Sequence, residues 1–276
     1  MRDEIIEVLD IKQLASNAKT LDVDDAVDLV EDFEESDQTT FLENIAKESW
    51  DFFKEVGYPT SKNEEWRFSN PLPWIPSKSS NYVISENSSS KMFIDQNIND
   101  GVSIIISNES ILFPKKIPKG IEILDMFQAM QKNILEGSIG SVEDFHNSPF
   151  SAENMAQFNN GIVIHVQNNT KLTQPIQLIH HVKNSTNCKL FPRVFLDIGA
   201  GSNVQVIQTE ISDDEKQQYL NSVIEVIVHE NAILNWTLMQ NWNLLTGHID
   251  TFNIALEKDA VANYDAYDFG GGFIRR

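Results

Sequence analysis

The sequence predicts a mainly β protein with some α: a parallel β-helix preceded by an N-terminal helical region and a small α/β element. Three observations lead there. Residues 174 to 262 repeat at a step of 28, so that Ile176-Gln177-Leu178 falls on Val204-Gln205-Val206, Ala232-Ile233-Leu234 and Ala260-Val261-Ala262. The same step carries Leu196-Asp197-Ile198 onto Ile224-Glu225-Val226 and Phe252-Asn253-Ile254, which keeps the inward and outward alternation of a second strand. Polar Ile211 to Gln218 lies over Met239 to Thr246, so excursions leave each coil on one side. A unit this short buries its apolar edge only by stacking on the next, which is the logic of a solenoid. Asn203, Asn231 and Asp259 open three of the copies, and small polar residues of this kind tolerate a left-handed turn before a strand.

Along the chain, residues 1–76 form the N-terminal helical region with a Trp- and Pro-rich connector. A helix or pair of helices is expected over residues 2–32, with Ile5, Ile6, Leu9 and Leu14 on one stripe. A second helix runs from Leu42 to Val56, opened by a Thr40/Glu43 capping box and stopped by Gly57 and Pro59. Four prolines between Pro59 and Pro76 forbid helix there, so Trp66, Phe68 and Trp74 must be held by tertiary packing. Residues 77–145 hold a Ser- and Asn-rich loop followed by a strand at Val102–Ile106, a turn through Pro114–Gly120, a strand at Ile121–Leu124 and a helix near Met126–Leu135. Residues 146–276 are the β-helix, starting near Ile162. Gly270-Gly271-Gly272 punctuates the last coil and no polar cap follows before Arg276, which leads to the expectation of a truncated β-helix within a longer protein.

The net charge of −20 is unevenly placed, with 17 acids and 5 bases in residues 1–56. So acidic a surface repels phosphate backbones and anionic lipid, which argues against nucleic acid and membrane as partners. A single cysteine, Cys188, allows no internal disulfide. Asp3, Glu4, Glu7 and Asp10 stand where a signal peptide needs basic and then apolar residues, and a cytoplasmic location is expected.

No phosphate loop and no GxGxxG turn is present, so nucleotide chemistry has no visible seat. The candidate metal ligands are His180, His181 and Cys188, with His165 as a fourth. Their spacing matches no recurring zinc arrangement, and one thiol is too few for an iron–sulfur cluster, so the expectation is no metal site. Cys188 has no fixed base beside it that would make it a nucleophile. His229-Glu230 and His248-Ile249-Asp250 could be acid/base pairs but read as solvated turn residues, and no catalytic residue is assigned. A β-helix carbohydrate-active enzyme would need stacked carboxylates, whereas outward positions 177, 205, 233 and 261 are Gln, Gln, Ile and Val.

The connector carries Gly57, Tyr58, Pro59, Thr60, Lys62, Glu64, Trp66, Arg67 and Phe68, a pattern that resembles the SufB/SufD family of iron–sulfur cluster assembly proteins. Stretches at Pro175–His180, Pro192–Val206, Asn221–Leu234, His248–Thr251 and Gly270–Arg275 are similar to the same family, and Asn63-Glu64-Glu65-Trp66-Arg67-Phe68 stands closer to its SufD branch than to SufB. The resemblance implies a right-handed β-helix in a non-enzymatic scaffold that works with a SufB-like paralogue and a SufC-like ATPase, through regions mostly outside residues 1–276. It implies no resident cofactor here, with an iron–sulfur cluster only transiently in the assembled complex. A SufB-like cluster-carrying scaffold is the alternative within the family. Trp66 and Phe68 are expected to lock the N-terminal helices onto the fold, with Arg67 capping or pairing nearby.

Overall fold

The computed structural model describes residues 39–60, 62–76, 101–108, 111–132, 139–158, 160–182, 188–213 and 216–276. The helices expected over 2–32 and the loop expected over 77–91 lie outside them.

The strands form a parallel β-solenoid. Sheet A is built from β1 (Val102–Ser107), β2 (Ile111–Leu112), β5 (Ile176–Val182), β8 (Asn203–Ser212), β10 (Ile233–Asn241) and β12 (Val261–Asp268), in the spatial order β12-β10-β8-β5-β1-β2. Sheet B takes β3 (Ile121–Asp125), β4 (Asn160–Val166), β7 (Pro192–Ile198), β9 (Gln218–Val228), β11 (Thr246–Leu256) and β13 (Phe273–Arg275), with short β6 (Cys188–Leu190) also on β9. Neighbours are parallel except at one end, where β2 runs antiparallel to β1 and β3 antiparallel to β4. Strands of the 77–145 segment thus extend both sheets. A short reversed strand on each sheet blunts an edge that would otherwise template further pairing.

The repeat is real, but its step is not constant. Ile162 lies beside Val194, Val194 beside Ile224, Ile224 beside Phe252 and Gly247 beside Phe273, giving steps of 32, 30, 28 and 26. The expected stack of Val204 on Ala232 is therefore corrected: Val204 pairs with Leu234, and Ile176 with Val206, while the 28-residue step holds for Ile233 on Val261. Side chains alternate with a period of two, so a two-residue error leaves every inward residue inward. Inward Ile104, Leu178, Val206 and Leu234 of sheet A meet Ile162, Leu196 and Val226 of sheet B in one buried core.

One corner of every coil is tight. From sheet B to sheet A the chain goes from Val166 to Lys171, Ile198 to Asn203, Val228 to Ile233 and Leu256 to Val261, always in the same five steps. The left-handed residues there are Asn169, Gly201, Asn231 and Asp259, at φ of 61°, 68°, 59° and 56°. The expectation for Asn203 is thus overturned, because Gly201 takes that role and Asn203 is already in the strand. The backbone N–H groups of Asn169, Gly201 and Asn231 donate to the carbonyls of Ala200, Glu230 and Lys258 at 2.8, 2.9 and 3.1 Å, tying each corner to the next.

On the outside of sheet B lie α1 (Thr39–Val56) and α3 (Pro149–Gln157), with α2 (Met126–Gln131) beside β3 and β4. Helix α1 begins three residues before the expected Leu42, and Gly57 ends it at φ 65° with its N–H on the Phe53 carbonyl at 2.8 Å. Helix α3 was not among the expected elements. Its start signal is Ser148, which accepts from the Phe150 N–H at 3.2 Å, followed by Pro149 in the first turn. Phe53, Phe145, Ala152 and Met155 pack on outward Val163 and Phe195. Beneath them Glu153 is fully buried and accepts from Tyr58, from Tyr219 at 2.8 Å and from Asn221 at 3.0 Å, while desolvation holds its carboxyl above the usual range.

The connector follows expectation at Trp66 and departs from it at Phe68. Trp66 is buried against Phe150, with the Arg275 guanidinium over its ring at 4.1 Å. Phe68 is 92% exposed, so it anchors nothing, and the Arg67 guanidinium lies over it at 5.4 Å on the surface. The 3₁₀ turn Glu64–Trp66 turns one aromatic in and the next out. Trp74 instead completes the lock: a Cβ on Gly247 would stand 2.5 Å from the Trp74 Cβ, so the bare backbone of β11 is what admits it.

The tight corner also carries a charged ladder. Asp197 accepts from His165 at 2.8 Å and from His229 at 2.7 Å, and His229 reaches Glu257 at 2.9 Å, spanning four rungs. Partial burial opposes protonation of His229, but the hydrogen bonds and charges of Glu257 and Asp197 together outweigh it and raise its pKa. A raised folded pKa gives stability that is complete below the unfolded value of about 6.5 and is lost as pH rises through the folded value. His229→Gln should therefore lower the urea midpoint at about pH 6 and do so progressively less toward about pH 9. A gap that widens with pH would contradict the ladder.

Candidate functional site

The core turns polar at the opposite, open corner. Parity carries the inward faces from Leu178 to His180, from Val206 to Gln208 and Glu210, and from Leu238 to Gln240. On sheet A the successive rungs place His180 beside Glu210, Glu210 beside Gln240 and Gln240 beside Asp268. On sheet B Leu220 lies beside His248, and Ser222 beside Asp250, with Arg276 following the Ile249–Arg275 pair. The chain joining the two columns shortens along the axis: His180 to Leu190, Glu210 to Leu220, Gln240 to His248 and Asp268 to Ile274 span ten, ten, eight and six residues. The expected one-sided excursions are these segments.

His248 and Asp250 are therefore not solvated turn residues. They are 0% and 3% exposed, as Glu210 is 0% and His180 is 3%. The indole N–H of Trp242 donates to His248 Nδ1 at 3.1 Å. Because an indole can only donate, Nδ1 carries the lone pair and Nε2 the proton, which goes to Ser222 Oγ at 2.7 Å. Ser222 in turn donates to Asp250 Oδ1 at 2.7 Å. A directed chain thus runs from Trp242 through His248 and Ser222 to the Asp250 carboxylate, whose other oxygen accepts from Arg276 Nε at 2.9 Å.

Glu210 completes the group. Its Oε1 accepts from Gln208 at 2.8 Å, while Oε2 makes no hydrogen bond and lies 3.6 Å from His248 Nδ1 and 3.7 Å from Arg276 Nη2. Desolvation, reinforced by the Asp250 charge, raises the Glu210 carboxyl well above its ordinary range. Burial pushes both His180 and His248 down to about 4, so both imidazoles are neutral near pH 7. Among the described residues, the His, Cys, Asp and Glu donors that come together are those of Glu210, His248 and Asp250, with one ligand atom of each within 4.8 Å of the others.

The sequence candidates are placed differently. His180 points inward and its Nε2 has no hydrogen-bond partner. His181, one residue on, is bonded to Asp213, and His165 belongs to the ladder at the tight corner. Cys188 is buried with Val182, Leu190, Leu220 and Trp242. A cleft lined by Ile106, Asn108, His180, His181, Phe191 and Leu220 opens beside His180. Glu210 and Ser222 are the members that sequence reasoning missed.

The match to a known family falls on these coils. Residues 180–276 match the family model described as SUF system FeS cluster assembly, SufBD core domain. Residues 180–276 are thus similar to the SufBD core domain. Iron-sulfur cluster assembly SufBD family proteins of Staphylococcus aureus strains MRSA252 and USA300 are each 32% identical to it over 127 residues, which is 45% of this chain and 27% of theirs. A SufBD family protein of Staphylococcus saprophyticus is 31% identical over the same length and shares. The matched stretch thus spans about a quarter of those relatives, 27%. His180, Glu210, His248, Asp250 and Arg276 all lie inside the SufBD core match, and the connector lies outside it. No helix among the described residues is long and apolar enough to cross a membrane.

Proposed function

We propose that this chain is a SufD-type, non-catalytic subunit of a cytoplasmic SUF iron–sulfur assembly scaffold, acting with a SufB-like paralogue and a SufC-like ATPase. The observation that carries the reading is the SufBD core match over residues 180–276. The connector supports the SufD branch, since Asn63-Glu64-Glu65-Trp66-Arg67-Phe68 precedes the coils and Trp66 is seated on sheet B beside Ile249. The nascent cluster is cargo of the assembled complex rather than a resident cofactor of these residues.

Gel filtration of the gene product co-expressed with both partners tests the reading, and co-elution of all three is expected. Co-elution should survive ~150 mM salt, where charge attraction from an acidic surface alone is screened over about 8 Å. A gene product that associates with neither partner would sink the proposal. With one thiol, Cys188, residues 1–276 reconstituted anaerobically with iron and sulfide should hold no stoichiometric cluster. A cluster that survives gel filtration on the monomer and is lost in Cys188→Ser would show the opposite.

A further inference from the structure

We infer that Glu210, His248 and Asp250, with His180 on the adjoining rung, form a binding site for a divalent first-row transition cation inside the coils. The inference stands on these residues alone and does not depend on the SufD reading.

Four observations carry it. The three donor atoms already lie within 4.8 Å of one another in the buried interior. Two of the surrounding polar atoms, Glu210 Oε2 and His180 Nε2, are buried without a hydrogen-bond partner, which is costly unless something else satisfies them. His180 is the rung neighbour of Glu210, and its buried imidazole faces into the same interior. Finally, His248 is held in the tautomer a ligand needs. Its Nε2 proton is fixed on Ser222 and through it on Asp250, the outer-shell support usual for metal-bound histidine, and its Nδ1 lone pair lies 3.6 Å from the unpaired Glu210 oxygen.

The distance is close to what one ion demands. Two donors each about 2.1 Å from a common cation stand roughly 3.0 to 3.4 Å apart. A small closure brings Glu210 onto His248 once the Trp242 N–H gives up its hold on Nδ1, and Asp250, within 4.8 Å, joins them by releasing one of its oxygens from Ser222 or Arg276. Neutral imidazole with carboxylate oxygen suits zinc, iron or cobalt better than calcium. Arg276 now supplies the positive charge beside these carboxylates, at 2.9 Å from Asp250 and 3.7 Å from Glu210. It therefore competes with the ion.

Chelator-treated protein titrated with Co²⁺ tests this through the visible absorption of bound cobalt, with Zn²⁺ calorimetry in parallel. Saturable, stoichiometric binding is expected, weakened about tenfold or more in Glu210→Gln and in Asp250→Asn. Asp197→Asn, the same chemical change at the tight corner, and Cys188→Ser should leave it unchanged. Arg276→Gln should tighten it, which keeps the test decisive even where a carboxylate variant fails to fold. No saturable uptake by either the wild type or Arg276→Gln overturns the site. So does cobalt binding that persists in both carboxylate variants, or binding that is lost with Cys188.

Discussion

Replacing Glu225 by alanine is expected to destabilise the fold by about 3–5 kcal/mol, because it strands a buried arginine. Arg193 is 1% exposed and points its Nη2 at Glu225 Oε1, 2.6 Å away, while its Nη1 donates to Asn154 at 2.8 Å. The same carboxylate accepts the backbone N–H groups of Gly140, Val142 and Glu143 at 3.2, 3.3 and 3.1 Å, and so clamps the 139–143 turn onto sheet B. Alanine removes both carboxylate oxygens, leaves Asn154 as the guanidinium's remaining acceptor here, and keeps the guanidinium in a site where burial disfavours its charge, a pressure that Glu225 opposes. Glu225→Gln keeps an acceptor oxygen and should cost less. Urea denaturation of the two variants decides the matter, and an alanine variant within about 1 kcal/mol of wild type would mean that Arg193 finds another partner or water.

Trp236→Ala should cost a similar ~3–5 kcal/mol, here through lost volume rather than lost charge. The indole is 2% exposed inside the coils, edge-on to Phe252 with ring centres 4.8 Å apart, and its N–H donates to Gln208 Oε1 at 3.0 Å. Rungs above and below are hydrogen-bonded along their length, so the cavity cannot close by one strand moving inward alone. Trp236→Phe refills most of the space but leaves the Gln208 oxygen unpaired, at a cost of about 1–3 kcal/mol. If the two substitutions prove equally mild, the interior around Trp236 is less tightly packed than its burial implies.

The solenoid was legible because its evidence is redundant. Alternation in two strands, a turn and a loop all recur together, so an error in the step could not hide the architecture. The step itself was not legible, since Ile176 on Val204 and Ile176 on Val206 satisfy the same alternation, and only backbone pairing chooses between them. Asn203 shows the same ambiguity from the other side. Aligned at 28 residues it matches Asn231, whereas the residue that needs a positive φ is Gly201, 30 residues before Asn231.

For the candidate site the signal is present in the alternation but is opposed by composition. Once Phe252 and Ile254 are inward, Asp250 and His248 are inward too, two and four residues back on the same face. The same count from Val204 and Val206 reaches Glu210. Composition hid this, because polar residues near a loop suggest exposure, and a buried acid next to a buried histidine runs against that habit. Phe68 failed for the reverse reason: an aromatic beside Trp66 suggests shared packing, but the short 3₁₀ turn sends the two side chains to opposite sides.

The steps of 32, 30, 28 and 26 residues are all even. For a gene encoding such coils this sorts length mutations into two kinds. Gaining or losing two codons at the open corner resizes one loop and returns the next strand to sheet B with the same faces in and out. Gaining or losing one codon there, unless a bulge absorbs it, turns the whole following strand inside out and presents its charged face to the core. Drift in the size of the polar interior is therefore open to such a lineage in paired increments, while the five-residue tight corner keeps the stack in place.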